Sequence, residues 1–241
     1  MSISKESIIG ELVANDYRTA PVFKKHNIDF CCNGNRSIAE ACEKKKIDSN
    51  DLIQQLEQAT SANNASSVDY NSWPLDLLAD YIEKKHHRYV ESRSQEIKPF
   101  LEKIIRVHGE RHPELIETGK LFNESVGELA MHMKKEELML FPFIRRMVKA
   151  EQDKTSVQAP FGSVQNPIKA MMHDHDGEGE RFRKIASLTN DYNPPADACN
   201  TYRVTFSMLK EFEEDLHLHI HLENNILFPK AISMEEKLAT V

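Results

Sequence analysis

One motif occurs twice in the chain, and this repeat limits the possible fold more than any other feature. Both copies read His-x3-Glu-x4-Phe-Pro, and they occupy residues 132–142 and 219–229, 87 positions apart. Residues four apart lie one above the other on an α-helix, so the His and Glu of each copy can approach a common point. The repeat therefore predicts two similar helices, each presenting a His/Glu pair in the same way.

Apolar residues around the repeat follow a helical period in four long stretches, at about 73–107, 114–150, 167–188 and 196–232. Glycine is scarce, with 8 in 241 residues, about half the usual share of roughly 7%. Long amphipathic helices with short connections are typical of an antiparallel bundle. The sequence thus predicts an all-α protein built mainly from an antiparallel four-helix bundle.

A small, polar stretch at residues 60–72 divides the chain into two segments of different character. Its Ser-, Asn- and Ala-rich composition is typical of a linker. The shorter segment contains brief helical patterns, one of which begins at Ser37 with the spacing of a capping box. We expect a small helical domain over residues 1–59, a linker over 60–72 and the bundle over 73–241.

Charge and hydropathy exclude several classes of partner. Lys and Arg number 31 against 38 Asp and Glu, and the net charge of -7 indicates no broad basic surface for nucleic acid. No apolar run approaches the roughly 20 residues of a membrane span, and the N-terminus lacks a signal-peptide pattern. Four Cys in a chain of this length do not indicate a disulfide scaffold. We expect a soluble, cytoplasmic protein.

The two His/Glu pairs lie on helix stripes that should face the core of the bundle. Burying carboxylates and imidazoles without partners is costly, and metal ions would remove that cost. Each copy is preceded, on the helix before it, by candidate histidines: His86 or His87, and His173 or His175. Four His and two Glu in a twofold arrangement suit two metal ions, with iron or manganese favoured and zinc possible. Solvent-facing pairs are the alternative, which the identical spacing of both copies disfavours.

Helical periodicity distinguishes these candidate histidines only weakly. The apolar stripe of the third helix favours His175 over His173, and that of the first helix slightly favours His86 over His87. Three further histidines fit no repeat and are expected at the surface or in loops; they are His26, His108 and His112.

These residues resemble a known family. The second segment looks like a hemerythrin-like domain, and the whole chain, including Asp29-Phe30-Cys31-Cys32, resembles the di-iron proteins for repair of iron centres. The resemblance implies a cytoplasmic protein with two non-haem iron ions that repairs iron–sulfur clusters damaged by oxidants or nitric oxide. Its implied partners are damaged iron–sulfur proteins, with nitric oxide or oxygen as small ligands. Because about 59 residues make a marginal core, we also expect a homodimer formed through the N-terminal domain.

The same resemblance implies six metal ligands, namely His87, His132, Glu136, His175, His219 and Glu223. It thereby overrules the weak preference of periodicity for His86. One departure is Asp174, which stands where a Glu commonly precedes the ligand His. The set has one His fewer than the oxygen-carrying hemerythrins, which argues against simple oxygen carriage.

Cys31 and Cys32 are adjacent and lack the Cys-x-x-Cys spacing of a metal site. The functional interpretation is a reactive thiol pair used in redox, nitrosyl or iron handling. The alternative is that one thiol packs in the core and the other is incidental; the resemblance favours function.

Three other functions remain open on the sequence. They are a hemerythrin-like module that binds or senses oxygen or nitric oxide, a di-iron enzyme of the nitric oxide reductase type, and a bundle that merely uses structural zinc. No flavin or nicotinamide motif is present, so an enzyme would need a separate electron donor.

Overall fold

The computed structural model describes residues 3–61 and 68–239, and the regular elements over these residues are helices. The prediction of an all-α fold is therefore confirmed for the described part of the chain. Residues 62–67 of the predicted linker lie outside the described residues, as do residues 1–2 and 240–241. Over the described ranges, no helix has both the length and the hydropathy needed to cross a membrane.

Four short helices form the N-terminal segment: α1 (Ile9–Asn15), α2 (Ala20–Lys25), α3 (Ile38–Lys45) and α4 (Ser49–Ser61). The capping box predicted for α3 is present, since the Ser37 hydroxyl accepts from the Glu40 amide and the Glu40 carboxylate accepts from the Ser37 amide. Helix α4 extends two residues into the predicted linker. The loop between α2 and α3 carries the two adjacent cysteines.

The four predicted long helices are present, but three of them contain a π-helical segment. The first comprises α5 (Leu75–Tyr81), π1 (Ile82–His87) and α6 (Arg88–His108). The second comprises α7 (Glu114–Lys135), π2 (Glu136–Leu140) and α8 (Phe141–Asp153). The third is α9 (Gln165–Leu188), and the fourth comprises α10 (Asn200–Leu222), π3 (Glu223–Leu227) and α11 (Phe228–Leu238).

The Phe-Pro end of the sequence repeat marks the place where the α-helical hydrogen-bond ladder is interrupted. Pro142 and Pro229 lie two residues beyond the ends of π2 and π3, each as the second residue of the next helix. Proline has no amide hydrogen, so it cannot make the α-helical bond to the carbonyl four residues earlier. Segments π2 and π3 begin at Glu136 and Glu223, so each interruption starts at a Glu of the repeat.

Contacts between the long helices give the predicted antiparallel bundle. Helix α5 packs against α8 and α6 packs against α7, so the first two helices run in opposite directions. Helix α10 packs against α6, and α9 packs against α7. The His/Glu pairs of the repeat thus come from neighbouring parts of one bundle.

Apolar side chains fill two clusters that lie on either side of the repeat's His/Glu layer. One cluster contains Phe141 and Phe228, and the other contains Phe122 and Phe212. The second cluster also includes Phe23 and other buried residues of the N-terminal helices. The N-terminal segment therefore shares a continuous core with the bundle, so its stability does not depend on a separate core of its own.

Glu213 on α10 is a buried carboxyl at this junction, with its Oε2 4.0 Å from the Lys24 ammonium of α2. Burial raises the pKa of Glu213 to about 7; Glu214 and Asp191 also raise it, while Lys24 and Tyr192 oppose the rise. The folded protein thus keeps a proton that the unfolded chain releases near the ordinary value of 4.5. Stability therefore falls as pH rises from that value towards 7.

We expect Glu213→Gln to raise the melting temperature clearly at pH 8 and only slightly at pH 5. The side-chain amide of glutamine cannot ionise. It therefore avoids the buried negative charge of Glu213, which lowers the free energy of unfolding by roughly 1–3 kcal/mol once the carboxyl has ionised. Thermal unfolding of both proteins at the two pH values measures this difference. An equal gain at both pH values would contradict the assignment of the effect to ionisation.

Candidate metal centre

The bundle brings all six predicted ligand side chains together at its buried centre. Each is at most 3% exposed. They form two groups of four that share both carboxylates, and the ligand atoms within each group lie within 4.8 Å of one another. One group joins His87 and His219 to Glu136 and Glu223; the other joins His132 and His175 to the same two carboxylates. Each group could hold a metal ion.

Glu136 lies between imidazoles of two different helices. Its Oε2 is 3.4 Å from Nε2 of His87 and 3.4 Å from Nε2 of His132. Burial opposes the charged form of both histidines, but the surrounding carboxylates raise the pKa of His87 to about 9 and that of His132 to about 10. A metal ion needs neutral imidazoles and therefore competes with protons at this centre.

Glu223 occupies the corresponding position in the second copy of the repeat. Its Oε1 is 3.1 Å from Nε2 of His219, and its Oε2 is 3.2 Å from Nε2 of His175. Burial alone would raise the pKa of Glu223, but these imidazoles and His87 lower it well below its ordinary value. The carboxylate is thus held in the ionised form that metal binding requires.

Hydrogen bonds from outside the cluster orient three of the four imidazoles through Nδ1. The acceptors are Glu137 Oε1 for His87 at 3.1 Å, Asp174 Oδ2 for His132 at 3.3 Å, and Asn224 Oδ1 for His175 at 2.8 Å. With the proton assigned to Nδ1, Nε2 directs its lone pair into the centre. This arrangement is the usual one for a histidine that binds metal.

Buried polar atoms of the cluster remain without hydrogen bonds among the described residues. They include Nε2 of His87 and both carboxylate oxygens of Glu136. Unpaired buried polar atoms are costly, and a cation would satisfy them together. Imidazole nitrogen with carboxylate oxygen is a donor set suited to iron or manganese. The residues present therefore fit a metal centre.

Segment π1 decides which of the two adjacent histidines enters the cluster. His87 belongs to one of the ligand groups. In contrast, Nδ1 of His86 is 3.0 Å from Oδ2 of Asp215, and the His86 ring stacks on the His219 ring with 5.7 Å between their centroids. Periodicity favoured His86 because it assumed an unbroken period of 3.6 residues. A π-helical turn changes that register, so both side chains are fully buried but only His87 reaches the carboxylates.

Sequence reasoning missed two side chains that orient ligand imidazoles, Glu137 and Asn224. Both directly follow the Glu of the repeat, so they occupy equivalent positions, and aligning the two copies was the signal that could have found them. The surface or loop position expected for His108 is wrong. His108 is 4% exposed at the end of α6, with Nε2 3.3 Å from Sγ of Cys199.

A cleft of about 150 Å³ reaches the centre on one side. Its lining includes His132, His175 and Asp174. The ring of His87, which belongs to the other ligand group, does not line this cleft and is stacked on Phe141 at 5.5 Å. A small molecule can therefore approach the His132 and His175 group through the cleft.

The cysteine loop is held against the bundle. Asp29 Oδ1 accepts from the amides of Cys31 and Cys32 at 3.1 and 3.0 Å, and Arg183 of α9 donates to Asp29 Oδ2 at 2.8 Å. The two Sγ atoms are 3.7 Å apart and both thiols are free. The loop thus places two neighbouring thiols against the bundle, with Cys31 buried and Cys32 partly exposed.

The two thiols differ in their surroundings. The neighbouring Cys32 thiol, burial and the Asp29 carboxylate together raise the pKa of Cys31 well above its ordinary value. Cys31 also borders a second cleft, of about 520 Å³, between the N-terminal segment and the bundle. Cys32 is partly exposed, and its thiol donates to the backbone carbonyl of His175 at 3.3 Å. The pair therefore lies directly beside the polypeptide that carries one ligand of the centre.

Comparison with known proteins agrees with this architecture. Residues 5–60 match the profile of ScdA_N, a domain of unknown function, and residues 78–231 match the hemerythrin HHE cation binding domain. The chain is 32% identical to the iron-sulfur cluster repair protein ScdA of Staphylococcus haemolyticus, covering 95% of this chain and 99% of the relative.

Relatives from two other bacteria show a similar match. Identity is 33% to the iron-sulfur cluster repair protein YtfE of Musicola paradisiaca, over 96% of this chain and 98% of the relative. It is 34% to YtfE of Yersinia pestis, over 94% and 97%. The chain therefore belongs to the family of iron-sulfur cluster repair proteins in which an ScdA_N domain precedes a hemerythrin HHE cation binding domain.

Proposed function

We propose that this protein repairs iron–sulfur clusters damaged by oxidative or nitrosative stress and that it does so with a di-iron centre. The observation that carries the proposal is the pair of buried ligand groups sharing Glu136 and Glu223. The full-length relatives named for iron–sulfur cluster repair support it. The substrates would be iron–sulfur proteins with damaged clusters.

Each side chain of the centre has a defined part in this proposal. His87 and His219 would hold one iron ion, and His132 and His175 the other, with the two shared carboxylates bridging them. When bound, iron would supply coordination positions for nitric oxide or oxygen, and it would also be the metal that a damaged cluster needs. The groups contain nitrogen and oxygen donors and no thiolate, and the proposal requires that they release iron to the damaged cluster.

The proposal is tested by metal analysis followed by a repair assay. Purified protein should contain about two irons per chain, as in other dinuclear carboxylate bundles. The iron-loaded protein should restore activity to an oxidant-damaged [4Fe–4S] enzyme, whereas protein stripped by a chelator should not. Failure of the iron-loaded protein would refute the repair role, and zinc in place of iron would favour a structural bundle.

The adjacent thiols have a part in the same proposal. We assign Cys31 and Cys32 to redox, nitrosyl or iron handling, because the loop places them beside the carbonyl of His175. A homodimer in the cytoplasm stays a prediction of the sequence. Light scattering should give twice the chain mass of 27.7 kDa, and a monomeric mass would contradict the dimer.

We expect His87→Ala to lower the iron content and His86→Ala to leave it near the normal value. Both side chains are fully buried and adjacent, which makes the second variant a matched control for the first. Only His87 belongs to a ligand group. Iron per chain measured after purification checks this difference. The reverse result would show that periodicity, and not the π1 register, had identified the ligand.

A further inference from the structure

Asn224 links the cysteine loop to one imidazole of the metal centre. Its Oδ1 accepts from His175 Nδ1 at 2.8 Å, and its Nδ2 donates to the backbone carbonyl of Cys31 at 3.1 Å. Asn224 is 8% exposed, and both hydrogen bonds are buried. The carbonyl of His175 in turn accepts from the Cys32 thiol. Two separate contacts therefore join the thiol loop to the residue that carries this ligand.

Among the residues that the structure describes, the equivalent residue in the other half of the centre has no link to the N-terminal loop. Glu137, at the same position of the first repeat, orients His87 and is itself bound by Lys134 and Arg88. All of these residues belong to the bundle. The imidazole of His87 is therefore held by the bundle alone, whereas that of His175 is held by a residue that depends on the N-terminal loop.

Other features give the two halves different access and different packing. The cleft of about 150 Å³ opens beside His132 and His175. The Cys32 sulfur fits closely against α9, because a Cβ at Gly179 would lie only 3.0 Å from it. Where the sulfur faces α9, a larger group attached to it would not fit between the loop and the helix. It would therefore displace the loop that supplies the Cys31 carbonyl to Asn224.

We propose that Asn224 is a positioning residue through which the Cys31–Cys32 loop controls retention of the metal ion held by His132 and His175, and that this ion is the one released. The inference rests on the proposed di-iron function and adds a means of regulation to it. With the loop in place, Asn224 fixes His175 with Nε2 directed at the metal. When a substituent on Cys32 displaces the loop, Asn224 loses one partner and His175 is held less firmly.

Iron release to a colorimetric ferrous chelator tests this inference without any repair assay. Wild-type protein should release its two ions in two phases of unequal rate. N-ethylmaleimide, whose double bond takes up the thiol with no leaving group, should accelerate only one phase. The acceleration should vanish in Cys32→Ala, which controls for reaction at Cys31, Cys42 and Cys199.

Variants of Asn224 separate its two hydrogen bonds. Asn224→Ala removes both hydrogen bonds. It should lower the affinity for one metal ion by roughly 10- to 100-fold, which is the usual effect of losing a hydrogen-bond partner of a metal ligand. Asn224→Asp keeps the acceptor for His175 but loses the donor to Cys31. This variant should bind both ions, but it should release one of them faster than the wild type before any maleimide is added, and maleimide should cause no further acceleration.

Asn225→Ala is the matched control, because Asn225 lies in the same segment and donates to the carbonyl of Phe30 at 3.1 Å without contacting a ligand. It should keep the wild-type rates of release before maleimide is added. Equal acceleration in Asn224→Ala and Asn225→Ala would overturn the specific role of Asn224, as would a wild-type release rate insensitive to maleimide. Wild-type protein that binds no iron would instead refute the di-iron function itself.

Discussion

Replacing Glu136 or Glu223 with Leu is expected to reduce bound iron from about two ions per chain to fewer than one. Each carboxylate belongs to both ligand groups, so a single substitution removes an oxygen donor from both ions. Both side chains are fully buried, and within the described part of the chain no other carboxylate belongs to either group. Iron analysis of the purified variants, with circular dichroism to confirm the helical fold, measures the effect.

Glu124→Leu provides a control on the same helix as Glu136. Glu124 is exposed and is paired only weakly with Lys120, at 4.0 Å. This variant should keep the iron content of the unmodified protein and support cluster repair. Normal iron in both Glu136→Leu and Glu223→Leu would rule out shared carboxylates and with them the dinuclear assignment.

The double variant Cys31→Ala/Cys32→Ala is expected to retain its iron and to lose most of its repair activity. Alanine is smaller than cysteine, so the loop can stay in place through Asn224, Asn225 and the ion pair between Asp29 and Arg183. Neither thiol belongs to the two His/Glu groups. Iron analysis and reactivation of an oxidant-damaged [4Fe–4S] enzyme, measured on one preparation, check both halves of the expectation.

Cys199→Ala is the corresponding control, because Cys199 is exposed and lies at the start of α10, away from the loop. It should be as active as the unmodified protein. Full repair by the double variant would show that the thiols only pack against the bundle. Loss of iron together with activity would assign them to the stability of the centre instead of to transfer.

The repeat contained most of the information about the bundle and the centre. The spacing of four residues between His132 and Glu136, and between His219 and Glu223, is a local property of a helix. It therefore placed each pair on one face before any tertiary contact was known. The Phe-Pro endings also had a local meaning, since proline interrupts a helical hydrogen-bond ladder wherever it occurs.

Other parts of the centre depended on features that a regular period cannot express. The π1 segment shifts the helical register and brings His87, in place of His86, to the carboxylates. The burial of His108 results from packing against Tyr202 and Cys199, residues far away in the chain. Neither result follows from the spacing of apolar residues around the histidine.

By itself, the sequence determined the helical class, the bundle, and the His/Glu pairs, because these follow from contacts between residues close in the chain. Only the tertiary structure showed how the imidazoles divide into two groups around the shared carboxylates and how the thiol loop meets them. The hydrogen bond from Asn224 to the Cys31 carbonyl joins residues 193 positions apart. Such a contact exists only after the N-terminal segment has packed against the bundle, since no local pattern brings the two residues together.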